Sequence, residues 1–383
     1  MSEYQYHEWQ AVDRILTADE QAAVSGLSSH IEVSSSRAMV TYSWGDFKHD
    51  PKQVLLKYFD AYFYQANWGS LRLMFRFPAA LLDEAEIEPY CTEDEIHFET
   101  AGQHQVLDLD FNPEDGGGGW VETEAGLARF IGLRDDLLEG DYRLLYLAWL
   151  KAATLYGGLD EPGDYDELAS NQPAFDREPP VPPGLKKLSA ALQNFVRVFE
   201  LDPFLVKAAA EASHDRKETA AVDYRQLISR LPSDERDDFL VRLAQGQPGA
   251  GLALRKRLGA FMPEERSQDA GRRTVAQLLE RAVELKQAEQ QRQAKARRQK
   301  HTAEMKDLAA REDQTWQQVE AILANGRKIA SVYDEATAIL TRLKELAEFE
   351  DRPASFGARL APLARKYASR PSLIERWRRR GWL

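Results

Sequence analysis

The clearest strand pattern in the chain is LRLMFRF, at residues 71–77. Its leucines and phenylalanines occupy every second position, and two arginines and a methionine occupy the positions between them. Successive side chains of a strand point to opposite faces, so this alternation is typical of a half-buried strand. We therefore expect a β-sheet in the N-terminal part of the protein.

Strand and helix patterns alternate around this segment. Residues 51–66 begin with proline and follow helical spacing, which predicts a helix, and residues 127–156 predict further helix. Strands mixed with helices in this way indicate an α+β domain over residues 1–170. The other predicted strands are residues 3–13, 38–44, 95–100 and 105–111.

The second half of the chain predicts helix almost throughout. Its helical hairpins resemble tetratricopeptide-like units, although their period is irregular. The stretch 286–304 has only alanine as its apolar residue, so it lacks the larger side chains of a coiled-coil seam. It is a solvated single helix or a partly disordered hinge. The expected architecture is an α+β domain (1–170), a Pro-rich linker (171–184), an all-α region of repeat-like helical hairpins (185–270), one long charged helix (271–323) and a C-terminal helical hairpin with a basic tail (324–383).

Charge also divides the chain in two. Residues 1–180 contain 34 Asp and Glu against 12 Lys and Arg, whereas residues 181–383 contain 28 against 38. The Pro-rich segment NQPAFDREPPVPPG (171–184) lies at the junction, which indicates two modules joined by a stiff spacer. The opposite charges could also attract each other, within one chain or between copies, and the basic half could attract nucleic acid.

Composition limits the compartment and the chemistry. Cys91 is the only cysteine, which excludes an intramolecular disulfide and a zinc site built from several cysteines. The N-terminal residues lack the basic and apolar pattern of a signal peptide, and no apolar run approaches the length of about 18 residues that a membrane helix needs. We expect a cytoplasmic protein that does not span a membrane, and no motif predicts a cofactor.

Three segments carry a family resemblance. The C-terminal stretch YDEATAILTRLKELAEFEDRPASFGARLAPLARKYASRPSLIERWRRRGWL (333–383) resembles the tails of uncharacterised bacterial proteins that carry or neighbour SWIM-type zinc fingers. EYQYHEWQAVDRILTADE (3–20) and NWGSLRLMFRFP (67–78) also resemble an uncharacterised bacterial family. The chain has no Cys-x-Cys…His-x-Cys finger of its own, and the resemblance implies no activity and no catalytic residue.

The N-terminal half contains weak candidates for a metal or anion site. Asp108 and Asp110 alternate with apolar residues, so both carboxylates share one face of a strand, where they could bind Mg²⁺ or Mn²⁺. The alternative is the polar face of a strand in an acidic domain. His97 and His104 flank a predicted hairpin loop but match no zinc motif. Arg72 and Arg76 share one face of a strand, where they could recognise an anion or pair with local carboxylates.

Two basic stretches are the candidates for nucleic-acid contact. Arginine beside aromatic residues combines phosphate attraction with base stacking. The same residues could instead form a solvated face, dock on their own domain or bind a protein. The first stretch has Arg292, Lys295, Arg297, Arg298 and Lys300, and the second has Arg376, Trp377, Arg378, Arg379 and Arg380.

The sequence contains no specific catalytic motif, so we expect a cytosolic bacterial adaptor or scaffold protein that binds a protein partner through its helical region. The first alternative is a nucleic-acid-associated protein that uses residues 286–300 and 376–382. The second is a metal-dependent hydrolase that uses Asp108 and Asp110.

Overall fold

The computed structural model describes residues 4–112, 126–155, 177–216, 223–247, 249–261, 273–325 and 330–383. The chain divides into two compact units, Met1–Lys286 and Gln287–Leu383. The first contains an antiparallel sheet with helices, and the second is helical in its described residues. The predicted fold class, an α+β N-terminal part followed by an α-helical C-terminal part, is confirmed.

Seven strands form one sheet in the first unit, in the order β2-β3-β1-β4-β5-β7-β6, and every neighbouring pair is antiparallel. The segment 71–77 lies within β5, which pairs with β4 on one side and with β7 on the other. The strands are β1 (Gln5–Gln10), β2 (Glu32–Val33), β3 (Arg37–Tyr42), β4 (Ala61–Ala66), β5 (Leu71–Pro78), β6 (Ile96–Ala101) and β7 (His104–Phe111).

Ten α-helices among the described residues accompany the sheet in the first unit. Different helices pack on the two faces of the sheet. The helices are α1 (Ala18–Ser25), α2 (Pro51–Tyr58), α3 (Glu84–Ile87), α4 (Ile131–Leu138), α5 (Arg143–Ala153), α6 (Ala190–Val198), α7 (Pro203–Ala210), α8 (Tyr224–Ser229), α9 (Ser233–Ala244) and α10 (Ala250–Gly259).

The helix predicted over residues 51–66 is wrong in its second half. Helix α2 begins with Pro51, as predicted, and Asp50 caps it by accepting a hydrogen bond from the Lys52 N–H. The helix ends at Tyr58, and residues 61–66 form strand β4 in the middle of the sheet. Both faces of this strand are largely buried, so its apolar residues do not alternate with polar ones. A short continuous run of aromatic and apolar residues fits a strand and a helix equally well.

The two faces of the sheet have separate cores. On one face, side chains such as Phe63 and Phe75 pack with helices α4 to α7. Phe199, directly after α6, has ring contacts with Phe63 and Phe111, so the helices after residue 185 help to build the core of the sheet. On the other face, Trp9 and its neighbours pack against α2.

The described part of the Pro-rich segment, residues 177–184, is packed into the first unit. Glu178 is 3% exposed and accepts a hydrogen bond from the Tyr146 hydroxyl. Arg273 donates to Glu178 at 2.8 Å and to the Ala208 carbonyl at 2.7 Å. These bonds attach the segment to α5 and α7, so it contributes to the fold and is not only a spacer.

The second unit is a group of packed helices with its own core. The helices are α11 (Val275–Ala310), which crosses the boundary between the units, α12 (Glu312–Asn325), α13 (Ala330–Phe349), α14 (Pro353–Lys366) and α15 (Pro371–Arg379). Helix α13 contacts α12, α14 and α15, and buried residues such as Leu340 and Leu360 lie between them. The long helix predicted over residues 271–323 is divided at Arg311 into α11 and α12. Glu312, the first residue of α12, pairs with Arg352 at 2.6 Å.

One buried carboxylate joins several segments of the first unit. Asp60, between α2 and β4, accepts hydrogen bonds from the N–H groups of Val12 and Asp13 at 2.7 and 3.0 Å, and from Arg76 at 2.5 Å. Arg134 of α4 donates to the Arg76 carbonyl at 3.0 Å and binds Asp13 with both terminal nitrogens. Burial raises the pKa of Asp60, but Arg76 and the two N–H groups outweigh it, so the pKa lies below its usual value.

We expect Asp60→Asn to lower the free energy of unfolding of the first unit by about 3–5 kcal/mol, since the Arg76 guanidinium would stay buried without a charge partner. Urea denaturation followed by circular dichroism measures this loss. The control is Asp215→Asn, because Asp215 pairs with Lys186 in an exposed contact at 3.4 Å that is worth at most about 1 kcal/mol. Equal losses in the two variants would contradict the role given to Asp60.

Candidate functional site

Asp108 and Asp110 share one face of β7, as predicted, but a protein cation lies against them. Arg72 of β5 donates to both oxygens of Asp108, at 2.8 and 2.7 Å, and lies 3.4 Å from Asp110. Burial lowers the pKa of Arg72, but the hydrogen bonds and charges of the two carboxylates outweigh it and raise the pKa. Arg72 thus occupies the position at which a metal ion would contact Asp108.

The remaining metal candidates are far apart. His97 is opposite Asp108 in the hairpin and His104 is opposite Ala101. Four positions along a strand separate the two histidines by about 13 Å, too far for one zinc ion. Within the described ranges, no group of three or more His, Cys, Asp or Glu side chains could hold a metal ion.

A cluster of aromatic rings surrounds His7 on the same face of the sheet. The imidazole stacks on Trp9, with ring centres 5.8 Å apart and planes 10° apart. Its ring centre lies 4.7 Å from Tyr64 and 5.5 Å from Phe47. The sequence analysis did not identify this cluster. It forms because β1, β3, β4 and the loop before α2 bring together residues that are distant in the sequence.

His7 itself is nearly enclosed, with 4% of its surface exposed. Its Nδ1 is 2.8 Å from the Tyr62 hydroxyl, whereas its Nε2 has no hydrogen-bond partner among the described residues. Burial lowers the pKa of His7 to about 4, and the carboxylate of Asp46 opposes this shift. The ring is therefore neutral at neutral pH.

The first basic stretch lies on α11 and is open to solvent. Residues 291–300 are all exposed, including Lys295, Arg297, Arg298 and Lys300. Arg292 forms an ion pair with Glu289 at 2.8 Å. The segment is helical in the structure. Of the two predicted alternatives, this agrees with the solvated single helix.

In the second basic stretch, Trp377 cannot have the base-stacking role predicted for it. That side chain is 0% exposed and lies in the core of the second unit, so it cannot stack on a base. Arg376 pairs with Asp334 at 2.8 Å, and Arg379 lies 3.1 Å from Glu375. Arg378 and Arg380 are exposed. Trp382, the other aromatic residue of the stretch 376–382, is partly buried against Phe356, and the Arg380 guanidinium lies 5.8 Å from its ring centre.

The sequence analysis also missed an apolar surface on α9. Helices α8 to α10 share a small core around Phe239 and Leu258. Three other apolar residues of α9 face solvent: Leu240 is 58% exposed, Val241 is 52% exposed and Leu243 is 42% exposed. The run FLVRL could have revealed this surface, since one face of a short amphipathic helix cannot bury four apolar residues in five positions.

Comparisons with protein-family models, with curated proteins and with solved structures gave no match for this chain. Across the residues that the structure describes, no helix is both long and apolar enough to cross a membrane.

We expect the stability of the first unit to fall by about 3 kcal/mol between pH 7 and pH 4 through His7 alone. The unfolded chain protonates this histidine near pH 6.5, whereas the folded protein protonates it only near pH 4, so acid favours the unfolded state. Urea denaturation at several pH values should show that His7→Gln loses this part of the pH dependence. The variant His214→Gln, which changes an exposed histidine, should keep it, and an unchanged pH profile in His7→Gln would refute the assignment.

Proposed function

We propose that the protein is a cytosolic adaptor or scaffold that binds a partner protein through its helical region. The observation that supports this function best is the exposed apolar surface of α9, formed by Leu240, Val241 and Leu243. Contiguous exposed apolar residues on a folded protein mark interaction sites more often than single ones do. The surface belongs to segment 185–270, which is part of the helical region through which the sequence predicted partner binding.

The position of α9 suits this role. Lys256 of α10 donates a hydrogen bond to the Ala80 carbonyl at 2.7 Å, and Gly249, which precedes α10, lies against Pro78. The three helices are thus attached to the end of β5 by one side. Asp237 and Asp238 lie next to the apolar residues and are more than half exposed, and they pair with Arg236 at 3.6 Å and Arg242 at 3.9 Å. A partner helix with an apolar face would complement this surface.

We expect the double substitution Leu240→Glu, Val241→Glu to abolish capture of the partner, because two new charges would have to be desolvated in the interface. Affinity co-purification of the full chain from its native cytosol, with nuclease present, measures this. The control is Ile15→Glu, which adds charge at another exposed apolar residue. If proteins captured by the natural chain are retained equally by the α9 variant, the surface is not the docking site.

A nucleic-acid-associated function is the second candidate, supported by the exposed basic residues on α11. Arg297 and Arg298 lie on a solvated helix, where phosphates could approach them without the protein changing its shape. Deletion of residues 376–383 would not test this function, because it removes Trp377 from the core of the second unit. Point substitutions on α11 avoid that difficulty.

For this candidate, we expect Arg297→Ala with Arg298→Ala to flatten the salt dependence of binding to a single-stranded oligonucleotide. Loss of two phosphate contacts lowers the slope of log K against log salt by about 1.4. Fluorescence anisotropy over a range of salt concentrations gives the slope. The matched control, Arg342→Ala with Arg365→Ala, removes two exposed arginines from other helices of the same unit. Equal slopes in both double variants would exclude α11 as the site.

A further inference from the structure

The turn between α14 and α15, together with the outer side of α15, forms a concavity on the surface of the second unit. Its volume is about 440 Å³, which is within the usual range for binding pockets. Leu373 and Trp377 on the inner side of α15 are buried in the core of the unit, so the core holds this helix in place. The residues that line the concavity are Ala368, Pro371, Ser372, Ile374, Glu375 and Arg378.

The lining combines apolar carbon with polar groups. Its apolar part comes from Ala368, Pro371 and Ile374, and Ile374 also packs against the core. Its polar part consists of a serine hydroxyl, the Glu375 carboxylate and the Arg378 guanidinium. Five of the six lining residues are exposed and the sixth, Ile374, is partly buried. A partner can therefore reach the concavity without a change in the fold.

The helices on both sides of the concavity are basic, in a chain whose net charge is −12. Residues 359–380 contain eight Lys and Arg against one acidic residue, Glu375. Arg379 lies 3.1 Å from Glu375, so the one local carboxylate already has a partner. Four of the eight basic residues lie within ion-pair distance of a carboxylate, and these are Arg359, Lys366, Arg376 and Arg379.

The other four basic residues have no carboxylate within ion-pair distance among the residues that the structure describes. Their hydrogen bonds go to neutral carbonyl groups where they have them, as from Arg370 to the Leu323 carbonyl at 2.7 Å. Arg378, the one that lines the concavity, is exposed. The four residues are Arg365, Arg370, Arg378 and Arg380. The charge that would complement this surface is therefore negative.

The lining does not suit a nucleic acid. Single-stranded nucleic acids bind by stacking their bases on exposed aromatic rings. The aromatic residues of this hairpin are turned inward, since Tyr367 and Trp377 are buried and Trp382 packs against Phe356. The carboxylate of Glu375 within the lining would also repel phosphate groups.

An acidic peptide has the groups that this lining lacks. A large apolar side chain of the peptide would cover Pro371 and Ile374, and a neighbouring carboxylate would lie against Arg378. Glu375 would accept a hydrogen bond from a peptide N–H, which a nucleic acid backbone cannot supply. Apolar burial would then add to the charge attraction, and charge complementarity would select acidic segments over basic ones.

We propose that this concavity is a docking site for an acidic peptide segment of a partner protein, with a large apolar side chain among its carboxylates. The site shares no residue with the α9 surface and belongs to the other unit. Either surface can bind or fail to bind without the other, so a negative result at one does not decide the function of the other.

The test uses the full chain and a fluorescein-labelled octapeptide, Leu-Phe flanked on each side by three aspartates, with binding measured by fluorescence anisotropy at physiological salt. Peptides with Gly-Gly in place of Leu-Phe, or with asparagines in place of the aspartates, should bind more weakly. We expect Arg378→Ala to weaken binding by about threefold to fivefold, the size usual for an exposed ion pair. Ala368→Glu should weaken it further, because it adds a like charge and fills part of the concavity.

Two controls separate the concavity from general basicity. Arg342→Ala removes an exposed arginine from α13 and should bind the peptide as the natural chain does. Ser369→Glu adds the same charge as Ala368→Glu one residue outside the lining, so it should weaken binding less. Circular dichroism should show the same fold in all four variants, since each changes an exposed residue.

Three results would overturn the proposal. The first is that Arg378→Ala binds the peptide like the natural chain, and the second is that the Gly-Gly peptide binds as tightly as the Leu-Phe peptide. The third is that a single-stranded oligonucleotide binds more tightly than the peptide and loses affinity in Arg378→Ala, since the surface would then serve a nucleic acid.

Discussion

Asp60 is the buried charge on which the arrangement of the first unit depends. Its carboxylate binds the backbone where β1 ends and the guanidinium of Arg76 in β5, and Arg134 extends the network to α4. Removing a carboxylate and a guanidinium from water costs several kcal/mol each, and the hydrogen bonds repay this only when every partner is in place. The network therefore favours one alignment of strands and helices over others that would leave a buried charge unpaired.

Several arginines of the N-terminal half are paired with carboxylates inside the first unit. Arg72, Arg76, Arg134 and Arg143 all bind carboxylates within the first unit. The basic residues of this acidic segment are therefore used largely inside the fold, while many of its carboxylates remain on the surface. Each pair removes one positive and one negative charge together, so the pairing leaves the net negative charge that a partner meets unchanged. The same unit takes helices from the basic half into its core, so the charge boundary near residue 180 is not the boundary of a folded unit.

The sequence predicted the fold class well because the strongest patterns are local. The alternation in residues 71–77 and the hairpin of β6 and β7 depend only on neighbouring residues and one buried face. Residues 61–66 were assigned to a helix because a strand buried on both faces has no alternation. Trp377 was assigned to a surface because its neighbours are arginines, yet α15 is amphipathic and turns this ring into the core. Periodicity shows which side of an element is buried, but only when that element has one buried side.

The candidate site could be predicted less well, for a reason of geometry. Asp108 and Asp110 were found from one strand, but their partner Arg72 lies on another, and only the register of β5 and β7 shows that they meet. The His7 cluster needs four segments to assemble, so no single stretch of sequence indicates it.

The apolar surface on α9 and the basic residues on α11 differ in the force that would operate on each. Burial of apolar side chains on α9 gains little from low salt, whereas phosphate contacts on α11 weaken steeply as salt rises. The salt dependence of binding therefore distinguishes the two surfaces, even before a partner is known.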